Sequence, residues 1–202
     1  MSFFKKLFKS SKKPITVVSG LPRSGTSMMM KMLEAGGIPP ITDEIREADD
    51  DNPKGYYEFE RVKKLDKGDK AWVADAQGKS VKVISQLLRH LPDDYEYKVI
   101  FMRRNMDEIL ASQKKMLVNR GEDPNKVSDE EIKDLFEKHL ASVINWLENQ
   151  GNVEVLYIHY SETLSNPQPQ AEMINAFLGG SLDVEAMTGV VDPTLYRNRT
   201  TA

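Results

Sequence analysis

The stretch PITVVSGLPRSGTSMMMKMLEAGG, residues 14–37, decides the fold of this chain. Its apolar, β-branched run from Ile15 to Val18 predicts a buried parallel strand. A loop with glycine and proline breaks that pattern over six residues from Gly20. A helix is predicted from about Ser27 to Ala35. Loop N–H groups and the start of a helix converge on one point, so this strand–loop–helix unit predicts an anion site.

Residues inside the loop indicate which anion it suits. From Gly20 the loop reads G-L-P-R-S-G-T-S, close to the phosphate-loop pattern G-x-x-x-x-G-K-[ST]. Thr26 stands where that pattern has the lysine that serves the β- and γ-phosphates of a nucleoside triphosphate, which counts against an ATPase or a kinase. Arg23 supplies a positive charge suited to phosphate or sulfate. An ordinary strand-to-helix turn with an incidental arginine is the alternative, and Thr26 or Ser27 is expected to cap the helix.

Composition limits the class of protein. The chain has 202 residues, of which 40% are hydrophobic and 29% charged, and this predicts one α/β domain over 14–202. A formal net charge of −3 gives no reason to expect a nucleic-acid partner. The sequence contains no cysteine, which excludes disulfides, zinc–thiolate sites and cysteine nucleophiles.

The first residues form a basic tail, residues 1–13, which precedes the domain. MSFFKKLFKSSKK mixes phenylalanines with five lysines and has no apolar core of the kind found in secretory signals. A cytoplasmic location is therefore expected. The tail is either a frayed, solvated segment or a short amphipathic helix that touches a membrane surface weakly.

A second strand-to-helix junction carries a second candidate anion group. KVIFMRRNMDEILAS, which begins at Lys98, predicts a buried strand, an arginine pair and a helix. Arg104 stands at the carboxyl end of that strand, and Ser112 follows it by eight residues. A guanidinium beside a helix N-terminus can grip a phosphate through two hydrogen bonds. The alternative is an ion pair between Arg104 and Asp107 or Glu108.

The other apolar patterns complete an alternating order of strands and helices. This order predicts a three-layer sandwich, with a central parallel sheet flanked by helices on both faces. The loop, Arg104 and Tyr160 each follow a strand, so they are expected to meet at the carboxyl edge of the sheet. The predicted elements are a helix over 58–77, a strand over 81–84, a strand over 98–102, a helix over 106–117, a helix over 128–149, a strand over 153–158 and a helix over 168–178.

These motifs resemble those of a known family. PRSGTS after an apolar strand resembles the 5′-phosphosulfate loop of sulfotransferases that use 3′-phosphoadenosine 5′-phosphosulfate (PAPS). The segment from Lys98 resembles the family's 3′-phosphate segment, with Arg104 and Ser112 at its arginine and serine positions. The strand end HYSETLSNP resembles a family strand whose tyrosine contacts the adenine, and Tyr160 takes that position.

The resemblance implies a fold, a donor and a set of site residues. It implies a P-loop NTPase-like sulfotransferase fold and a metal-independent, in-line transfer of a sulfuryl group from PAPS to a hydroxyl or amine. The residues that it places at the donor are Arg23, Ser24, Gly25, Thr26, Ser27, Arg104, Ser112 and Tyr160, with Arg197 and Arg199 as candidates from the last segment of the chain.

Two glutamates compete for the role of general base in this comparison. NPKGYYE, which ends at Glu58, resembles a segment of bacterial sulfotransferases, whereas Glu44 falls where protein-tyrosine sulfotransferases have an acidic pair. Glu58 ranks first because the neighbouring tyrosines could remove water from its carboxylate and raise its pKa. Cytosolic sulfotransferases have a catalytic histidine just after the second strand. That histidine is missing here, since the residues that follow Lys82 are Val, Ile and Ser. Lys82 either faces the site or is an edge lysine.

Two other classes of function stay open at this stage. One is a nucleotide kinase-like phosphotransferase with an aberrant loop, and the other is a non-catalytic nucleotide-binding protein of the same fold. The sequence names neither the acceptor nor the oligomeric state: a lipid, a saccharide, a small alcohol and a peptide all fit as acceptors. His139, on the long helix, is expected to have no catalytic role.

Overall fold

The structure, a computed structural model, describes residues 13–43 and 55–195. Three of the candidate site residues, Glu44, Arg197 and Arg199, lie outside the described residues. Almost all of the basic tail lies outside them too, so the predictions made for these parts stay predictions.

Four parallel strands form one sheet in the part of the chain that the structure describes. Their order across the sheet is β2-β1-β3-β4. Val17 of the central strand β1 stands between Val81 of β2 and Val99 of β3 in the register of the sheet. The strands are β1 (Ile15–Gly20), β2 (Ser80–Lys82), β3 (Tyr97–Arg103) and β4 (Val153–His159).

Helices connect and cover these strands. The α-helices are α1 (Thr26–Ala35), α2 (Met106–Asn119), α3 (Asp129–Glu148), α4 (Tyr160–Ser165), α5 (Pro167–Leu178) and α6 (Val184–Gly189). The 3-10 segments are Glu60–Lys67, Ala71–Ala76, Ser85–His90 and Pro193–Leu195. Within residues 13–43 and 55–195, no helix is both long and apolar enough to cross a lipid bilayer.

The sheet is buried on both faces, which explains its apolar strands. All six residues of β1 are buried. Val17 and Phe101 point to one face, where they pack with the 3-10 segments and α3. Val18 and Ile100 point to the opposite face, where they pack with α1, α5 and α6. Successive strand residues alternate between faces, so two covering layers require unbroken apolar runs. The prediction of a three-layer α/β fold is confirmed.

The single helix predicted over 58–77 is wrong. The chain forms two 3-10 segments there, separated by Gly68, which has a left-handed φ of 89°. The buried pairs Val62 with Leu65 and Val73 with Ala76 are each three residues apart. This spacing matches the three residues per turn of a 3-10 helix, so both segments present their apolar residues to the sheet.

Helix ends show where local signals decided the structure. Ser128 and Glu131 form the two reciprocal contacts of a capping box at the start of α3, where the sequence predicts that a helix begins. The cap predicted for α1 is wrong. Its N-cap is Gly25, which makes no side-chain capping bond, and Thr26 is already helical. Gly36 ends α1 as predicted.

A serine–histidine contact joins α3 to the segment that follows β2. The Ser85 Oγ and His139 Nε2 atoms are 2.8 Å apart, and Ser85 is fully buried. Burial lowers the pKa of His139 below its ordinary value, and the positive charge of Arg89 lowers it further. The folded protein therefore favours the neutral imidazole.

The lowered pKa of His139 makes the stability of the fold depend on pH. The histidine of an unfolded chain takes up a proton near pH 6.5, above the folded pKa of His139. Its stabilising contribution is therefore complete above about pH 6.5 and is lost as the pH falls below that value. We expect the urea midpoint to fall between pH 7.5 and 5.5 in the wild type. His139→Gln should show a smaller fall.

His159→Gln provides the control, since it removes an exposed imidazole at the end of β4. This variant should retain the wild-type dependence on pH. An equal fall in the wild type and in His139→Gln, measured under the same conditions, contradicts the assignment to His139.

Candidate functional site

A tight turn between β1 and α1 forms the centre of the site. The Ser24 N–H and Ser24 Oγ both donate to the Leu21 carbonyl, at 3.2 and 2.7 Å. Arg23 has a φ of 68° and Gly25 a φ of 97°, both in the left-handed region. This backbone turns the chain sharply into α1. The N-terminal N–H groups of α1, with no acidic residue in its first turn, favour an anion here.

Arg104 braces this turn from the neighbouring strand. It follows the end of β3, and its Nη1 donates to the carbonyl oxygen of Arg23 at 2.9 Å. Its Nε donates to Glu108 Oε2 at 3.0 Å. The Arg104 side chain is only 7% exposed and that of Glu108 only 3%. The ion pair that the sequence left as an alternative for Arg104 therefore exists, with Glu108 as its partner.

Tyr160 packs against both Arg104 and the turn. It begins α4 directly after β4, and its ring lies 4.4 Å from the guanidinium carbon of Arg104. Its edge also packs against Gly25, where an added Cβ would approach the tyrosine Cδ2 to 2.4 Å. Only glycine fits between this ring and the turn, for reasons of both space and backbone conformation.

Arg23 reaches from the turn to α2. Its Nε donates to Ser112 Oγ at 3.0 Å, across 89 residues of sequence. Ser112 is nearly buried. The N-terminus of α2 is capped by Asn105, whose Oδ1 accepts from the N–H groups of Asp107 and Glu108 at 2.8 and 3.4 Å. The guanidinium groups of Arg23 and Arg104 thus flank the same turn.

A lysine from β2 approaches the start of α1. Lys82 Nζ lies 3.4 Å from Ser27 Oγ, and it donates a hydrogen bond to the carbonyl oxygen of Tyr56. Ser27 Oγ also donates to that carbonyl, at 3.4 Å. Lys82 therefore faces the site, and a backbone oxygen from the loop before Glu58 contacts the same two side chains.

Glu58 is held in place by backbone and side-chain contacts. Its carbonyl oxygen accepts from Thr42 Oγ1 at 3.0 Å and from the Asp43 N–H at 3.3 Å. Its carboxylate lies 3.3 Å from Lys63 Nζ, and the side chain is 19% exposed. Hydrogen bonds to Glu60, and then to Glu58, raise the pKa of Lys63 above its ordinary value.

The side chain of Tyr57, which precedes Glu58, is hydrogen-bonded to a different carboxylate. Its hydroxyl donates to Glu34 Oε2 at 2.5 Å. Burial and this carboxylate raise the pKa of the Tyr57 hydroxyl well above its ordinary value. The backbone of Tyr57 has a left-handed φ of 52°, which is unusual for an aromatic residue and turns the chain between Tyr56 and Glu58. The proposal that these tyrosines raise the pKa of Glu58 stays a prediction.

The structure brings most of the sequence-predicted donor residues together. Those that meet around the turn are Arg23, Ser24, Gly25, Thr26, Ser27, Arg104, Ser112 and Tyr160. Sequence reasoning gave Glu108 only as one of two alternative partners of Arg104, without a choice between Glu108 and Asp107. A signal was present, because Arg104 and Glu108 are four residues apart, the spacing of a helical ion pair. In residues 13–43 and 55–195, no cluster of three or more His, Asp or Glu side chains is arranged to hold a metal ion.

The fold and this turn define a class of α/β protein with a candidate anion site at the carboxyl edge of a parallel sheet. The family model for the sulfotransferase domain matches residues 13–199, which is nearly the whole chain. The chain therefore belongs to the sulfotransferase family. A comparison with curated protein sequences gave no significant match.

Solved structures support the same fold. The mouse sulfotransferase SULT7A1, complexed with PAP, superposes with a TM-score of 0.54 at 21% identity over 89% of this chain. This chain spans 62% of the length of that protein. The sulfotransferase domain of the curacin biosynthetic pathway has a TM-score of 0.53 at 13% identity, with 94% of this chain and 93% of that domain covered.

A third solved structure gives a similar result. The sulfotransferase domain of the Synechococcus PCC 7002 olefin synthase has a TM-score of 0.53 at 16% identity, covering 94% of this chain and 90% of that domain. At these identities the likeness shows the fold.

Gly25 offers a direct test of the turn. Gly25→Ala places a Cβ into the Tyr160 ring and strains the backbone, whereas Gly37→Ala, at a φ of 100°, meets nothing within 4 Å. Both variants should lose about 1–2 kcal/mol in free energy of unfolding, because alanine is strained in a left-handed backbone conformation. We expect Gly25→Ala to lose about 1–3 kcal/mol more in free energy of unfolding, because of the clash. Urea denaturation measures both values.

Gly37→Ala is thus the matched control, since it shares the left-handed backbone without the crowding. Equal losses in the two variants contradict the packing of Tyr160 against the turn.

Proposed function

We propose that this chain transfers a sulfuryl group from PAPS to a hydroxyl or amine acceptor, without a metal ion. The observation that carries this proposal is the convergence of Arg23, Arg104, Ser112 and Tyr160 on the turn before α1. These residues come from three strand ends and two helices. They supply cations, a hydroxyl and an aromatic ring within one small region, which suits a nucleotide with several anionic groups.

The donor fits these groups in two parts. The turn and the first N–H groups of α1 suit its 5′-phosphosulfate, because they present backbone donors and a positive helix end. Arg104 and Ser112 suit its 3′-phosphate, and Tyr160 suits the adenine. The solved mouse relative is a complex with PAP, the desulfated form of this donor, which supports the same class of ligand.

The reaction is a displacement at sulfur. The acceptor oxygen or nitrogen forms a bond to sulfur as the bond between sulfur and the 5′-phosphate oxygen breaks, and the acceptor proton goes to a base. Arg23 and the turn stabilise the negative charge that develops on the leaving phosphate. Lys82, which reaches Ser27 at the start of α1, adds a second cation on the acceptor side of the turn.

Glu58 is the proposed base, with Glu44 as the second candidate. The backbone contacts from Thr42 and Asp43 fix the position of Glu58, and its carboxylate is mostly buried. Tyr56, two residues earlier, contacts Lys82 and Ser27 through its carbonyl. Glu58 therefore lies on a segment that contacts the donor turn directly.

The donor site is tested by calorimetric titration with 3′,5′-adenosine diphosphate and, separately, with ATP and Mg²⁺. We expect the bisphosphate to bind and ATP with Mg²⁺ to bind weakly, because Thr26 replaces the lysine that serves a triphosphate. Arg104→Ala should weaken bisphosphate binding at least about tenfold, because it removes a charge-assisted hydrogen bond.

Arg120→Ala is the matched control for this measurement. It removes the same charge from an exposed position at the other end of α2, a helix about 21 Å long. Its affinity should stay near that of the wild type. A preference for ATP with Mg²⁺ favours a phosphotransferase, and an unchanged affinity in Arg104→Ala overturns the proposed donor site.

The base is tested by turnover with labelled PAPS and a panel of phenols, sugars, lipid alcohols and hydroxyl-bearing peptides. Glu58→Gln should lower the turnover number about 100-fold or more, because it removes a proton acceptor. Glu60→Gln is the control, since Glu60 also contacts Lys63, at 2.5 Å. A loss of turnover in Glu44→Gln but not in Glu58→Gln assigns the role of general base to Glu44. Donor binding without sulfation of any acceptor favours a non-catalytic binding protein.

A further inference from the structure

A buried carboxylate contacts the arginine that braces the turn between β1 and α1. Glu108 is 3% exposed, and its Oε2 accepts a 3.0 Å hydrogen bond from Nε of Arg104, which is 7% exposed. Burying a carboxylate and a guanidinium together carries a large desolvation cost, so such a pair is weak evidence for a stabilising role. Its neighbour Asp107 is 61% exposed and contacts only the surface residue Lys133 among the ion pairs described, at 3.4 Å.

The contact with Glu108 fixes the plane of the Arg104 guanidinium. Glu108 accepts from Nε, the Arg23 carbonyl accepts from Nη1, and the Tyr160 ring packs on the guanidinium at 4.4 Å. These three contacts hold the planar guanidinium of Arg104 at two of its edges and on one face. Two-point recognition of a phosphate depends on the direction of the N–H groups, and a guanidinium that rotates about its side chain loses that direction.

We propose that Glu108 is a positioning residue for the donor site: it orients Arg104 for the 3′-phosphate and for its brace on the Arg23 carbonyl. This inference rests on the proposed function and assigns to Glu108 the discrimination between a 3′-phosphorylated nucleotide and one without that phosphate. It acts through Arg104 and has no contact with the donor itself.

The charge of the Glu108 carboxylate and its position have opposite effects on the binding of a phosphate by Arg104. As a negative charge, Glu108 offsets part of the attraction between Arg104 and a phosphate. As a hydrogen-bond acceptor, it holds Nε in place. Glutamine keeps an acceptor oxygen at the same reach and removes the charge, whereas aspartate keeps the charge and withdraws the oxygens by one methylene. The two substitutions therefore separate the two effects.

The test is calorimetric titration of 3′,5′-adenosine diphosphate and of adenosine 5′-monophosphate, which lacks the 3′-phosphate. The ratio of the two dissociation constants measures the contribution of the 3′-phosphate. We expect Glu108→Ala and Glu108→Asp to lower this ratio at least about tenfold. Glu108→Gln should keep the ratio within about threefold of the wild type, or raise it.

Asp107→Asn is the matched control, because it removes a carboxylate charge in the same helical turn from an exposed position. Its ratio should equal that of the wild type. A role of Glu108 in stability alone would weaken the binding of both nucleotides equally and leave the ratio unchanged. Thermal unfolding of each variant identifies any that does not fold, and the Glu108→Asp and Glu108→Gln pair is decisive if Glu108→Ala fails to fold.

The outcomes separate this inference from the proposed function. If the wild type binds 3′,5′-adenosine diphosphate and Glu108→Asp keeps the wild-type ratio, the role of Glu108 is overturned and the donor site stands. A lowered ratio in Glu108→Gln that matches Glu108→Asp also overturns it, because an acceptor oxygen at the same reach is then not sufficient to orient Arg104. If the wild type binds neither nucleotide, both the proposed function and this inference are overturned.

Discussion

The hydrogen bond from Arg104 to the carbonyl oxygen of Arg23 is the constraint on which the rest of the site depends. Arg23 has a left-handed backbone, which a residue with a Cβ adopts at a cost, so the surrounding contacts must hold it there. Arg104 supplies that contact from β3, and Glu108 fixes Arg104. The turn is therefore shaped by residues more than 80 positions away in the sequence, and this contact forms only when β1 and β3 are paired.

The packing of the sheet provides the rigidity that this arrangement needs. β1 is buried on both faces between β2 and β3, and the turn follows it directly. Tyr160 begins α4 at the end of β4, so the outer strand also contributes to the turn. Parallel strands place their carboxyl ends at one edge, and this geometry collects groups from three strands in one region. The site is a consequence of the fold rather than of one loop.

Charge is distributed unevenly across this edge. Arg23, Arg104 and Lys82 lie near the start of α1, and Glu108 is the buried acid that offsets part of their charge. The Tyr56 carbonyl contacts Lys82 and Ser27 at the start of α1. Ser27 and Lys82 thus connect the start of α1 to the segment that precedes Glu58. This connection gives the segment before Glu58 a structural reason to lie close to the turn.

Local sequence determined much of this protein. The apolar runs gave the four strands and their burial, and Ser128 with Glu131 gave the start of α3. The sequence also singled out Arg23, Gly25, Arg104, Ser112 and Tyr160 from motifs that follow strand ends, and the structure brings these residues together around the turn. Only the tertiary structure decided that Glu108 rather than Asp107 pairs with Arg104, and that residues 60–76 form 3-10 segments around Gly68. Both outcomes depend on which side chains the sheet buries, and contacts between distant residues determine that burial.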